Sequence, residues 1–198
     1  MFIRSTIATA LALTALVGFS TGWQATASET NHPKVSGRTI CGDHGSFKIR
    51  RLSSDQVDDV CEVYKGKVML VVNTASRCAY TDQYDGLEKL YKNYQGKGLV
   101  VIGFPSNDFA GQEPGTEKAI KDFCRLTYGV QFPMYEKTRV VGKEAAPIYQ
   151  ALYRATESAP RWNFHKYLID RNGTVIESYG SSIEPQSKQL IGAIERLL

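Results

Sequence analysis

Two stretches of the chain are apolar without interruption. One is Val68-Met69-Leu70-Val71-Val72, inside residues 67–74; the other is 99–104, closed by Pro105. Continuous β-branched runs of this length predict strands buried on both faces. Between them Tyr84, Leu87, Leu90, Tyr91 and Tyr94 recur at helical spacing over 81–94, and Gly96 and Gly98 stop the helix. A second amphipathic pattern over 117–128 sets Ile120, Phe123, Cys124 and Thr127 on one side and ends at Gly129. A short helix over 147–156 carries proline in its first turn. Residues 167–170 and 174–177 flank Arg171-Asn172-Gly173, a hairpin signal, and a last amphipathic helix covers 185–198.

This order of elements predicts an α/β protein with a central mixed β-sheet flanked by helices, the arrangement of a thioredoxin-like fold. The βαβ pieces need parallel pairing, and the hairpin adds an antiparallel edge. One such domain accounts for residues 38–198. The segment before it reads differently. Residues 1–27 combine Arg4, an apolar run over 7–19 and Ala25-Thr26-Ala27, the pattern of a cleaved secretory signal. The apolar run is shorter than the roughly 20 residues that span a bilayer, so no stable membrane anchor is expected. Residues 28–37 read as a flexible leader. The expected location is therefore secreted and periplasmic, an oxidising compartment.

Composition narrows the function classes. The chain of 198 residues is 42% hydrophobic and 22% charged, which excludes wholesale disorder and coiled coil. A net charge of +4 with no block of like charge gives no nucleic-acid footprint. The three histidines, His32, His44 and His165, have no metal-ligand spacing, and no phosphate loop or dinucleotide fingerprint is present. Neither a metal nor a cofactor is expected. Four cysteines are too few for a disulfide scaffold, so each needs its own account.

Cys78 lies just past the first buried strand and just before a helix, where catalytic groups of α/β sheets collect. A helix N-terminus favours a thiolate. A buried structural cysteine is the competing reading, and the polar neighbours Ser76, Arg77, Thr81 and Asp82 argue against full burial. There is no Cys-x-x-Cys pair for thioredoxin-type dithiol exchange. A thiol without an evident base suits attack on a weak bond, and peroxide offers one.

Three further segments join Cys78: the run from Gly103 to Gln112-Glu113-Pro114-Gly115, the pair Phe123-Cys124, and Arg161-Trp162-Asn163-Phe164-His165-Lys166. Together, from about Lys65 to the C-terminus, they resemble the glutathione peroxidase family in its cysteine-containing, thioredoxin-dependent form. The resemblance implies a peroxidase acting on hydrogen peroxide and organic hydroperoxides in oxidative stress defence. It puts Cys78 at the peroxidatic position, with Gln112, Trp162 and Asn163 completing the reactive tetrad. Their amide and indole N–H groups are donors suited to a thiolate and a departing oxygen. Singly, Trp162 reads as a core aromatic and the amides as loop polar groups. Departures stand at Ala79, in place of a glycine, and at Ser106 and Asp108, where the family often has cysteine and glutamine. A carboxylate close to Cys78 would oppose its ionisation, so Asp108 is expected to face away.

The same resemblance gives Cys124 the resolving role, with core filler as the other reading. Peroxide would make a Cys78 sulfenic acid, Cys124 would condense with it, and a thioredoxin-like protein or other dithiol would reduce the bridge, glutathione being the weaker candidate. Cys61 and Cys78 are held apart by strand 68–74, roughly 20 Å of extended chain, which leaves Cys41–Cys61 as a structural disulfide. The family's tetramer-forming insertion has no room between Cys124 and Trp162, so a monomer is expected. Two rival functions remain: a peroxide-sensing redox relay that passes oxidation to a partner protein, and an inactive adaptor.

Overall fold

The computed structural model describes residues 38–41 and 45–198. The secretory signal read over 1–27 and the leader over 28–37 lie outside the described residues, as do His32 and His44. No helix among the described residues is long and apolar enough to cross a membrane.

The chain first forms a small antiparallel pair, β1 (Lys48–Arg50) and β2 (Val57–Asp59), followed by a single helical turn, α1 (Val60–Val63). Asp59 caps that turn by accepting the Cys61 N–H. The main elements then run β3 (Val68–Thr74), α2 (Gln83–Tyr94), β4 (Leu99–Pro105), α3 (Glu117–Tyr128), α4 (Pro147–Thr156), β5 (Lys166–Ile169), β6 (Val175–Tyr179) and α5 (Lys188–Glu195). β3 pairs in parallel with β4 and antiparallel with β5, and β5 with β6, giving the order β4-β3-β5-β6. Both central apolar runs are buried along their whole length, as continuous hydrophobic strands require.

Side-chain alternation along β3 builds two cores. Val68, Leu70 and Val72 pack with Tyr84, Leu87 and Leu90 of α2, Cys124 of α3 and Leu190 of α5. Met69 and Val71 pack on the other face with Val60 of α1 and Ile148, Tyr149 and Leu152 of α4. Helices thus cover both faces of a mixed sheet.

Several details depart from the sequence pattern. The β1–β2 pair and α1 are new, because three-residue strands are too short to show a period. α2 begins at Gln83 rather than 81, since the Thr81 hydroxyl donates to the Ala75 carbonyl and accepts the Cys78 N–H, holding the preceding residues in a turn. The last helix covers Lys188–Glu195, shorter than 185–198, because Ser187 caps it by accepting the Leu190 N–H. Thr127, assigned to the buried side of α3, is exposed, while Ile120 and Cys124 are buried.

A disulfide joins Cys41 to Cys61, with Cα atoms 5.4 Å apart. It lies beside the β5–β6 turn, where a Cβ on Gly173 would collide with Cys41. Cys78 and Cys124 are free thiols.

Candidate active site

The site is assembled from three connections at the C-terminal end of β3. The first carries Cys78, half-buried in the turn between β3 and α2. Its N–H donates to Thr81 Oγ1 at 2.9 Å, and the Tyr80 N–H points at its sulfur at 3.4 Å. The turn therefore aims a backbone donor at the thiol, the kind of group that stabilises a thiolate. Ala79, in place of the glycine, is exposed.

The second connection follows β4. Ala110 and Gly111 both take positive φ, 53° and 62°, and bring Gln112 against the Cys78 turn. The Gln112 carbonyl accepts the Arg77 N–H at 3.1 Å. The third precedes β5 and carries Trp162 and Asn163. Asn163 Nδ2 donates to Gln112 Oε1 at 2.9 Å, so the two amides are locked together. Trp162 is 36% exposed, and its ring packs on Phe109 with centroids 5.7 Å apart. Gln112 and Asn163 are thus in direct contact, Cys78 is tied to Gln112 through its neighbour Arg77, and Trp162 stands next to Asn163 at the surface.

Asn73 organises the third connection, and nothing in the motifs pointed to it. Its Nδ2 donates to the Trp162 carbonyl (3.1 Å), its Oδ1 accepts the His165 N–H (3.1 Å) and its carbonyl accepts the Phe164 N–H (2.6 Å). Phe164 is held at φ 61°, a left-handed conformation that a bulky side chain adopts only when its surroundings impose it. The available signal was an asparagine inside an otherwise apolar strand.

Cys124 is 1% exposed in the middle of α3, within the same apolar cluster against which Cys78 packs. Burial pushes its thiol up to about 11, although the facing Tyr84 hydroxyl favours the thiolate. Glu113 is buried next to Gln112, burial raises its carboxyl, and neither oxygen has a partner among the described residues.

His165 is no base for Cys78. Its ring lies tilted against that of Tyr167, centroids 4.8 Å apart, and Tyr167 belongs to the core on the far face of the sheet from the one Cys78 packs against. Burial, with Lys166 and Arg161 adding positive charge, pulls it down to about 4. The Asp108 carboxylate is turned to the 139–141 segment, accepting the Val140 and Val141 N–H groups (2.7 and 3.2 Å) and pairing with Arg139 at 3.3 Å. Among the described residues, no group of three or more His, Cys, Asp or Glu side chains could hold a metal ion.

A mixed sheet of this order, with helices on both faces and a single thiol at the end of its central parallel strand, defines the class as thioredoxin-like α/β. The crystal structure of Trgpx in apo form superposes with a TM-score of 0.59 at 34% identity, covering 81% of this chain and 97% of that one. A family model described as glutathione peroxidase matches residues 47–153. The glutathione peroxidase of Lactococcus lactis subsp. cremoris is 50% identical over 130 residues, 64% of this chain and 83% of that protein. The hydroperoxy fatty acid reductase of Synechocystis is 43% identical over 145 residues, 68% of this chain and 85% of its own. The chain belongs to the glutathione peroxidase family and is a peroxide-reducing oxidoreductase.

Proposed function

We propose that Cys78 is the peroxidatic thiol and Cys124 the resolving thiol of a two-cysteine peroxidase that takes hydrogen peroxide and organic hydroperoxides. The observation that carries this reading is the Gln112–Asn163 amide pair, joined by a backbone hydrogen bond to the half-buried Cys78 turn. The Cys78 thiolate attacks one peroxide oxygen, the O–O bond breaks, and the other oxygen leaves as water or alcohol after taking a proton. The amide N–H groups of Gln112 and Asn163 and the indole N–H of Trp162 are the donors that would stabilise the charge moving from sulfur to oxygen. The exposed Trp162–Phe109 rim offers apolar contact to an organic hydroperoxide, in keeping with the named activity of the Synechocystis relative.

The resulting Cys78 sulfenic acid condenses with Cys124: an S–S bond forms, the S–O bond breaks, and water leaves with the thiol proton. A bridge needs Cα atoms within about 7 Å and a sulfur free to attack. Cys124 is enclosed mid-helix, so α3 opens to deliver it. An external dithiol, of the thioredoxin-like kind, then returns both thiols. Activity as a monomer in the periplasm completes the reading, supported by the signal pattern over 1–27 and the short connection from Cys124 to Trp162.

One equivalent of hydrogen peroxide added to reduced protein, followed by disulfide mapping, tests the cycle. A Cys78–Cys124 bridge is expected. A persistent Cys78 sulfenic acid with free Cys124, passing to a mixed disulfide with another protein, would select the relay instead.

A further inference from the structure

Lys166 is fully buried, yet among the described residues it makes no ion pair or hydrogen bond with a carboxylate. Its Nζ donates to two neutral oxygens, the Phe164 carbonyl and Gln83 Oε1, each at 2.7 Å. Burying an ammonium on neutral acceptors is costly, and a methionine of similar length would fill the position without that cost. The two acceptors explain why the charge is worth keeping. Phe164 is the left-handed residue directly after Trp162-Asn163, and Gln83 is the first residue of the helix that follows Cys78.

We propose that Lys166 is a positioning residue for peroxide reduction, its ammonium fastening the Trp162–Asn163 turn to the helix that follows the Cys78 turn. The proposal rests on Cys78 as the peroxidatic thiol and extends it. Sheet register puts the lysine within reach of both elements, across from Val72 on β3 and from Tyr179 on β6, two residues past the strained turn. Alternation along β5 turns it to the α2 face, opposite His165 and Tyr167. Asn73 fixes the same turn from β3 through backbone-directed bonds, and Lys166 supplies its only direct side-chain tie to α2 among the bonds of the described residues.

The lysine also makes the coupling pH-dependent. Burial brings it down to about 7, and Glu184, reached through the Gln83 amide, opposes that shift. The other titratable groups around it are His165 on its own strand, pulled down to about 4, and Tyr179 across the sheet, raised by burial with its hydroxyl on Glu177. Neither changes charge between pH 5.5 and 8.5. Glu113, next to the Gln112 partner of Asn163, is also raised by burial, so a transition near 7 at the Trp162 turn is assigned to Lys166 by its loss in Lys166→Met.

The test has two arms, both in the full chain with Trp23→Phe, which leaves Trp162 as its one tryptophan. In the first, Lys166→Met is expected to keep its circular dichroism and to oxidise Cys78 with peroxide about 10- to 100-fold more slowly, since displacing a reacting group by about 1 Å costs up to about 100-fold. A rate within two-fold of the parent overturns the proposal. Should Lys166→Met not fold, Gln83→Leu, which removes one acceptor and keeps the lysine, is expected to slow the same step three- to ten-fold; an unchanged rate there overturns it equally. In the second arm Cys78→Ser removes the thiol's own titration, and Trp162 fluorescence is followed from pH 5.5 to 8.5. A step with a midpoint near 7 that Lys166→Met abolishes supports the proposal, and a step that survives the substitution, or no step in the parent, overturns it. If Cys78 fails to react with peroxide in the parent protein, the peroxidatic reading fails in the first arm, while the second still decides whether Lys166 is coupled to the turn.

Discussion

The two pairs of cysteines make opposite use of the same sheet. Cys41 and Cys61 lie at the N-terminal end of β3, already bonded, with Cys61 set in a capped helical turn and Cys41 against the β5–β6 hairpin. Cys78, past the other end of β3, and Cys124 are both reduced, one in a half-buried turn whose Tyr80 N–H points at its sulfur, the other enclosed in a helix with its thiol pushed up to about 11. The first pair is held between the capped turn of α1 and the β5–β6 hairpin. The second pair sits on two separate elements, the β3–α2 turn and the interior of α3, and in the proposed cycle α3 opens to bring them together. On that proposal, a bridge becomes structural or reversible according to the mobility that the surrounding elements allow.

Substitutions sharpen this contrast. Cys78→Ser is expected to abolish peroxide turnover, measured by peroxide consumption with a dithiol reductant, whereas Cys124→Ser keeps the first oxidation and loses sustained turnover, leaving a sulfenic acid that dimedone traps. Equal loss of the first oxidation in both variants would break the assigned division of labour. Gln112→Ala removes the acceptor of Asn163 and a donor of the site, and is expected to slow Cys78 oxidation by about 100-fold with little change in melting temperature. The double change Cys41→Ala and Cys61→Ala reverses that pattern. It should leave the oxidation rate of Cys78 unaltered while lowering stability by about 3 kcal/mol, a fall of roughly 6–12 °C in Tm.

The smallest effect concerns pH. Native His165 stays neutral down to about 4, while the unfolded side chain takes up a proton near 6.5. The unfolded state binds more protons between those values, so stability is full above pH 6.5 and falls as the pH drops toward 4, by about 2–3 kcal/mol. His165→Phe should flatten that part of the curve in denaturant titrations, without altering peroxide reduction at neutral pH. A pH dependence unchanged by the substitution would remove His165 from the account.

Much of the scaffold was legible in the chain. β3 and β4 announce themselves as unbroken apolar runs, α3 ends at Gly129, whose capping bonds the structure contains, and Gly173 marks the hairpin turn. The β1–β2 pair escaped because three residues show no period. At the site, strand-turn-helix logic reached Cys78 unaided, but Gln112, Trp162 and Asn163 needed the resemblance, since residues 34 to 85 positions away from the cysteine carry no local sign of convergence. Asn73 and Lys166 were visible only as polar residues in apolar surroundings. Pattern reveals that such a residue is out of place; its partners come from the register of the sheet, which no local pattern encodes.

Asn73 also bears on how the chain folds. Its side chain and backbone together engage residues 162–165, and they can do so only when β3 lies against β5 in the observed register. A slip of one residue would turn Asn73 to the other face and leave the Trp162–Asn163 turn without its template. The order of the Trp162–Asn163 turn and the pairing of β3 with β5 are thus set by one and the same register.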